Sequence, residues 1–217
     1  MRKLIFGKKY IQTADLNNSL FINNVAKAVT MNGKVTRTTD HKGGNTAIQF
    51  GSGNLVSVDA LPASPVWSIA FWMKTTQTNL EAYLVELGTN YYDTQSFVAE
   101  INYQTLGSIL LGLTSSPRNF KKLEGTLNNN TWRHFVIQYN RNLTANDEII
   151  LYVNGIKQIL NVWNGNNGEH SGNFITDKLY IGGRGNSYSF PFNGVLSPIK
   201  MFNYALTQTE IDNLYNE

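Results

Sequence analysis

The sequence predicts an all-β protein: two antiparallel sheets packed as a sandwich, closed by one short C-terminal helix. Three observations lead there. The 217 residues include 18 Gly and 12% aromatic residues, with Thr, Val, Ile and Tyr abundant, a composition that suits strands broken by tight turns. From Thr46 onward, short runs of strand character follow one another between Gly, Pro, Asn and Ser groups. Helix start signals are clear only in the final segment.

Residues 1–45 read as an N-terminal extension, an attachment arm or added strands, ahead of a sandwich domain over 46–217. Residues 3–10 suit a short strand, and 14–28 suit loop or weak helix. Residues 29–39 alternate around Asn32-Gly33, a dipeptide that favours a two-residue hairpin. Strands are then expected at 47–50, 55–58, 68–74, 83–87, 97–103, 108–113, 133–139, 149–153, 156–160, 178–181 and 194–202. In 68–74, Ile69, Phe71 and Met73 alternate with Ala70, Trp72 and Lys74. Both sides are partly apolar, as in a strand covered on each face. Asn154-Gly155 marks a second hairpin of type I′. At the end, Thr207 and Glu210 frame a capping box, and Ile211, Leu214 and Tyr215 place one apolar stripe against a sheet.

Composition narrows the function classes. The net charge is +3, and 15% of residues are charged, against a usual fraction of about 25%. The short pairs Lys8-Lys9 and Lys121-Lys122 read as solvated loops, so no basic face for nucleic acid is expected. With no Cys, disulfides and thiolate metal sites are excluded. Leu4-Ile5-Phe6 stops at Gly7, short of a secretory h-region, and no run suits a membrane span, so neither export by signal peptide nor membrane insertion is expected.

Three stretches, in order, carry a family resemblance. Ala47-Ile48-Gln49-Phe50 and 55–58 lead through a Pro-containing loop into Trp67-Ser68-Ile69-Ala70-Phe71-Trp72-Met73-Lys74. Trp132-Arg133-His134-Phe135-Val136 is followed by Ile150-Leu151-Tyr152-Val153-Asn154-Gly155. Leu179-Tyr180-Ile181-Gly182-Gly183 precedes Phe192-Asn193-Gly194-Val195 and the run from Ile199 to Thr207. Together they resemble the laminin-G-like, concanavalin A-like jelly-roll domains over residues 46–217. The resemblance implies a jelly-roll sandwich and a structural His134, with Trp72 and Trp132 expected in the core. Ser197-Pro198 stands where that family usually carries acidic residues. Pro198 lacks a backbone donor, so a sheet edge or bulge is expected there.

Chemistry is sparse. Glycan hydrolysis needs two carboxylates on one face, and no strand carries them at i, i+2. Asp147-Glu148 are adjacent and read as part of a polar loop. His41 and His170 sit in Gly-rich loops without the spacing of a metal site or a nucleophile elbow. Gly182-Gly183-Arg184-Gly185 reads as a turn rather than a phosphate loop. No cofactor is expected, with Ca²⁺ as the exception: 90–93 and 146–148 offer hard oxygen donors of the kind it takes. For ligand binding, the rim loops offer Tyr91, Tyr92 and Asp93, then Trp163 and Asn166, then Arg184 with Tyr188: rings to stack on sugars, amides and a guanidinium for their hydroxyls.

The expected function is therefore a non-catalytic binding or structural module. It would be displayed on a virion or extracellular surface, with capsid, tail or other surface proteins as partners and glycans as ligands. A secreted carbohydrate-binding lectin is the alternative, and a glycoside hydrolase the less favoured one.

Overall fold

The computed structural model describes residues 10–14, 19–22, 25–33, 35–58, 60–88, 95–185 and 189–217. Among them the elements run β1 Tyr10–Ala14, β2 Ser19–Ile22, β3 Val25–Asn32, β4 Thr36–Thr38, β5 Ala47–Phe50, β6 Leu55–Val58, β7 Val66–Lys74, β8 Ala82–Leu87 and β9 Phe97–Ile101. They continue with β10 Ile109–Leu113, β11 Asn119–Leu123, β12 Arg133–Asn140, β13 Ile149–Val153, β14 Ile156–Lys157, β15 Asn161–Asn167, β16 Leu179–Ile181, β17 Gly194–Leu196, β18 Lys200–Phe202 and α1 Gln208–Asn216.

All pairings are antiparallel and form two sheets. The first centres on β7. On one edge β12 pairs with it, Phe135 opposite Phe71, and β13 and β14 follow outward. On the other edge lie β17 and β18 end to end; β5 and β4 extend from β17, and β1, β2 and the first half of β3 extend from β18. The second sheet runs β3 (second half), β6, β16, β8, β9, β10, β11, β15. This is the jelly-roll sandwich expected from the sequence.

The alternation in β7 decides which residues make the core. Trp67, Ile69, Phe71 and Met73 face the second sheet and join one buried cluster with Phe97, Leu111, Phe135, Ile137 and Tyr139. Phe71 stacks on Phe135 at 5.5 Å, Phe97 on Tyr139 at 4.7 Å, and the Tyr139 hydroxyl donates to Val98 O at 2.6 Å. The opposite face of β7 is covered by α1: Ala70, Val136, Phe202, Leu206 and Ile211 form a second apolar cluster with Leu214 at its margin. Trp72 and Trp132 are therefore corrected: both lie outside the sandwich core and are partly exposed. Trp72 falls on the even face of β7, where His41 stacks on it at 4.0 Å and Tyr215 of α1 at 5.5 Å. Trp132 precedes β12 and lies 5.1 Å below Lys74 Nζ.

The capping box forms as expected, with Thr207 N donating to Glu210 Oε2 at 2.8 Å and the Thr207 side chain accepting from Glu210 N. Thr207→Ala leaves an orphan donor in the first turn. A loss of about 1 kcal/mol is expected in urea unfolding, and a loss indistinguishable from zero would show that packing of Ile211 alone holds the helix.

Several local expectations change. Asn154-Gly155 makes the type I′ hairpin, at φ 52° and 78° with Val153 opposite Ile156. Asn32-Gly33 does not make one: β3 ends in the second sheet against β6, and β4 begins in the first against β5, so the turn carries the chain between layers. Within 14–28, β2 pairs with the first half of β3 where loop or helix was expected. The expected strand 194–202 is interrupted at Ser197-Pro198-Ile199, a bulge in which Ser197 N donates to Trp72 O and Ser197 Oγ accepts from Trp72 N. Lys121 and Lys122 lie in β11, each 3% exposed, where solvated loop was expected. Alternation explains the miss: Phe120 and Lys122 share one face of β11 while Lys121 takes the other, and both ammonium groups reach partners at the sheet margin.

Candidate functional site

β15 is the outermost strand of the second sheet, and it carries a bulge. Asn119 pairs with Asn167 and Lys121 with Val162, so residues 163–166 stand opposite Phe120 alone. Asn164 and Gly165, at φ 50° and 71°, turn the chain at the crest, a conformation that Asn-Gly adopts readily. The bulge has two flanks. One holds Trp163, whose ring lies 4.8 Å from Lys122 Nζ and edge-on to Tyr103 at 5.6 Å. Lys122 is anchored there by Glu124 at 2.7 Å and by Thr105 at 3.1 Å. The other flank holds Asn166, whose side-chain amide donates to Trp163 O at 3.3 Å.

Asn166 lines a polar groove of about 690 Å³. One wall is the β10–β11 connection, with Thr114, Ser116, Pro117 and Arg118; the other is the stretch 165–168. The walls are tied by Gly168 N donating to Arg118 O at 2.7 Å. Their approach requires glycine, since a Cβ at 168 would come within 2.5 Å of the Pro117 ring. Asn167, also in the groove, accepts from Lys121 Nζ and donates to Asn146 Oδ1.

Beside the groove lies a buried polar cluster. Glu148 Oε1 accepts from His170 N at 2.6 Å, and Oε2 accepts from His170 Nδ1 at 2.8 Å and Asn119 Nδ2 at 2.9 Å. Burial pushes the Glu148 carboxyl up, but the hydrogen bonds from His170 and Asn119 outweigh it, and the group stays below its ordinary value. His170 lies in a loop, as expected, and is buried. Both Glu148 oxygens are thus engaged by the protein. Among the described residues no three His, Asp or Glu side chains converge as a metal set.

Arg184 lies elsewhere. It follows β16, and β8, β9, β10 and β11 separate β16 from β15. Its Nε is 3.5 Å from Glu86 Oε1, and its guanidinium lies over the Tyr83 ring at 5.6 Å. Gly185 N donates to Glu86 Oε2 at 2.8 Å. The glycine-rich stretch is thus a turn, and its backbone donor faces the protein's own carboxylate. The expected site therefore divides: Trp163 and Asn166 share one bulge, and Arg184 belongs to another region. Tyr91, Tyr92 and Asp93, in the β8–β9 connection, and Tyr188 lie outside the described residues.

Sequence reasoning passed over two carboxylates. Val98 is opposite Glu86 and Glu100 is opposite Tyr83, so Glu86 and Glu100 share the outer face of the second sheet from neighbouring strands. A search at i, i+2 within one strand cannot find such a pair. The available signal was a carboxylate inside each of the apolar runs of β8 and β9. Glu86 is 1% exposed and Glu100 2%. Burial pushes the Glu100 carboxyl up to about 8, against a hydrogen bond from Tyr83 and the charge of Arg184, so it is mostly protonated at neutral pH.

No helix among the described residues is long and apolar enough to cross a membrane. Comparison with curated proteins finds no match. Solved structures similar to this chain include three from botulinum neurotoxins. The receptor binding domain of the C/D mosaic serotype is 15% identical with a TM-score of 0.66, covering 96% of this chain and 50% of that one. The binding domain of neurotoxin DC in complex with rat synaptotagmin II is 15% identical with a TM-score of 0.68, covering 96% and 51%. The DC binding domain in complex with SialylT is 13% identical with a TM-score of 0.65, covering 96% and 50%. At these identities the likeness is one of fold, and this chain spans about half the length of those structures. A family model described as "Concanavalin A-like lectin/glucanases superfamily", of the laminin G type, matches residues 42–212. With the sandwich and most of its length matched in this way, the chain belongs to that superfamily.

Proposed function

We propose that this protein is a non-catalytic recognition module that binds glycan through the β15 bulge, displayed on a virion or extracellular surface. The observation that carries this reading is the bulge itself. It sets the Trp163 ring beside Lys122 and, on its other flank, presents Asn166 to a groove lined by amides, hydroxyls and backbone. An aromatic face takes the apolar side of a sugar ring, and amides take its hydroxyls. An edge strand can carry such an insertion without breaking the ladder on both sides. Similar folds solved with SialylT and with synaptotagmin support a recognition role.

The carboxylates support the non-catalytic part. A general acid and its partner must reach the scissile oxygen. Glu86 and Glu100 are buried beneath Tyr83 and Arg184, and Glu86 is held by Gly185 N and Arg184.

A glycan array with purified protein tests the reading, repeated with Trp163→Ala. Selective binding in the parent, weakened about tenfold or more in the variant at unchanged melting temperature, is the expected result. Binding that ignores Trp163 would move the site away from the bulge. Release of reducing sugar from any bound glycan would overturn the non-catalytic reading.

A further inference from the structure

We propose that Lys121 and Asn167 form an intramolecular isopeptide bond, Lys121 Nζ displacing ammonia from the Asn167 side-chain amide, so that β11 and the edge strand β15 are covalently joined at the foot of the bulge. This goes beyond the recognition reading and is independent of what the bulge binds.

The strand register brings the two side chains together. Lys121 is opposite Leu111, a core residue, so its stem runs along the inner face of the second sheet. Asn167 is opposite Asn119, two residues before Lys121 on the same strand. Among the described residues the hydrogen-bond partner of Lys121 Nζ is Asn167 Oδ1, at 2.5 Å. The carbonyl bond adds about 1.2 Å, so Nζ stands within about 3.7 Å of Cγ, close to the roughly 3–3.5 Å of a near-attack arrangement. Asn167 Nδ2 donates to Asn146 Oδ1 at 3.1 Å, which steadies the amide. The competing nucleophile at an Asn-Gly amide is the next backbone nitrogen. Here it is engaged, because Gly168 N donates to Arg118 O at 2.7 Å.

A lysine is a nucleophile only as the free amine. Lys121 is 3% exposed, and burial holds its pKa below the ordinary value although the charges of Glu148 and Asp147 push the other way. The Nζ lone pair adds to Cγ, and the carbonyl π pair moves to Oδ1. In that adduct Nζ carries positive charge, which the same two carboxylates stabilise. Nζ then passes a proton to Nδ2 through solvent, which reaches the exposed Asn167 from the groove. The pair on Oδ1 restores the carbonyl, the Cγ–Nδ2 bond breaks, and ammonia leaves. One C–N bond replaces another, and no oxidant or cofactor is needed. Fixed juxtaposition supplies an effective concentration on the order of 10⁵–10⁸ M, and each molecule reacts only once. The product suits the fold. Among the described residues β15 pairs with β11 alone, and the chain has no Cys with which to staple an edge. The bond would fix one foot of the bulge, while Trp163 rests on Lys122 at the other.

The test is the intact mass of the purified full chain after days of incubation at neutral pH. Lys121→Arg and Asn167→Ala serve as controls, with melting temperature as the folding check. The parent is expected to be lighter than its sequence by one ammonia, and both variants to match theirs. After denaturation, trypsin should leave Lys121 uncut and release residues 119–122 joined to residues 158–178 as one branched peptide. A parent at its full sequence mass, or the two peptides recovered apart, overturns the proposal. An ammonia loss that persists in Lys121→Arg belongs to a cyclised Asn-Gly and overturns it equally. Should either variant fold poorly, the branched peptide from the parent still decides. No sugar enters the measurement, so its failure leaves the glycan reading in place.

Discussion

Glu148→Ala is expected to lower the unfolding free energy by about 3–5 kcal/mol, the cost of leaving a buried polar group without its partner. The carboxylate accepts the His170 backbone N–H, the His170 ring and the Asn119 amide, whose nitrogen also donates to Ala145 O at 2.7 Å. The pair also joins distant pieces of chain: Glu148 precedes β13, His170 follows β15, and Asn119 opens β11. Glu148→Gln keeps the shape and one acceptor oxygen, so it should lose less than the alanine variant. Urea unfolding of both variants measures this. A loss below about 1 kcal/mol for alanine would mean that water reaches the freed donors. Because the folded carboxyl lies below its ordinary value near 4.5, its contribution is complete above that pH and fades as pH falls through the folded value. The groove wall is next to this cluster, so the same variant should weaken binding as well as stability.

Much of the first sheet was legible because its signals are local. The aromatic alternation of β7, the Asn154-Gly155 turn and the Thr207–Glu210 box each lie within a few residues. What was missed depends on partners far along the chain. Lys121-Lys122 looks solvated because nothing nearby shows that Asn167 takes one ammonium group and that the Trp163 ring covers the other. Asn32-Gly33 has the chemistry of a hairpin turn, yet its flanking strands are captured by β6 and β5 in different layers, so tertiary pairing overrides the local signal. Trp72 looked like core because both faces of β7 are apolar; one face packs on the opposite sheet and the other on α1. The same division applies to the site. Trp163 and Asn166 are neighbours in sequence, and the bulge keeps them together. Arg184 was joined to them by residue type alone, and the strand order separates it. Glu86 and Glu100 meet only through the register of β8 with β9, which no single run of sequence contains.

The second large effect concerns acid, and its source is the aromatic layer under α1. His134, on the outer face of β12, is 3% exposed and packs against Trp72 at 5.2 Å and Tyr215 at 6.0 Å. Its Nδ1 has no hydrogen-bond partner among the described residues. Burial, with the nearby charges of His41 and Lys200 adding to it, holds its pKa down to about 4 from 6.5. A base whose folded pKa is depressed binds its proton more readily when unfolded, so stability falls as pH drops from about 6.5 toward 4. The full difference corresponds to about 3 kcal/mol. His41 is shifted the same way, chiefly by burial against Trp72, and extends the effect. The window differs from that of Glu148, which acts below about pH 4.5, so the two contributions separate in a pH series. The raised Glu100 carboxyl gains stability over the same range as pH falls, in parent and variant alike, so the quantity to read is the difference between them. From pH 7.5 to 4 the unfolding free energy of the parent should fall relative to that of His134→Phe, which keeps a ring against Trp72 but cannot take up a proton. If the parent and the variant show the same slope between pH 6.5 and 4.5, His134 is not the group responsible and the α1 layer does not respond to acid through it. If the slopes part as expected, loosening of α1 should accompany the loss, because the Tyr215 ring covers His134 and Trp72, and a charged imidazole there gains by being opened to water.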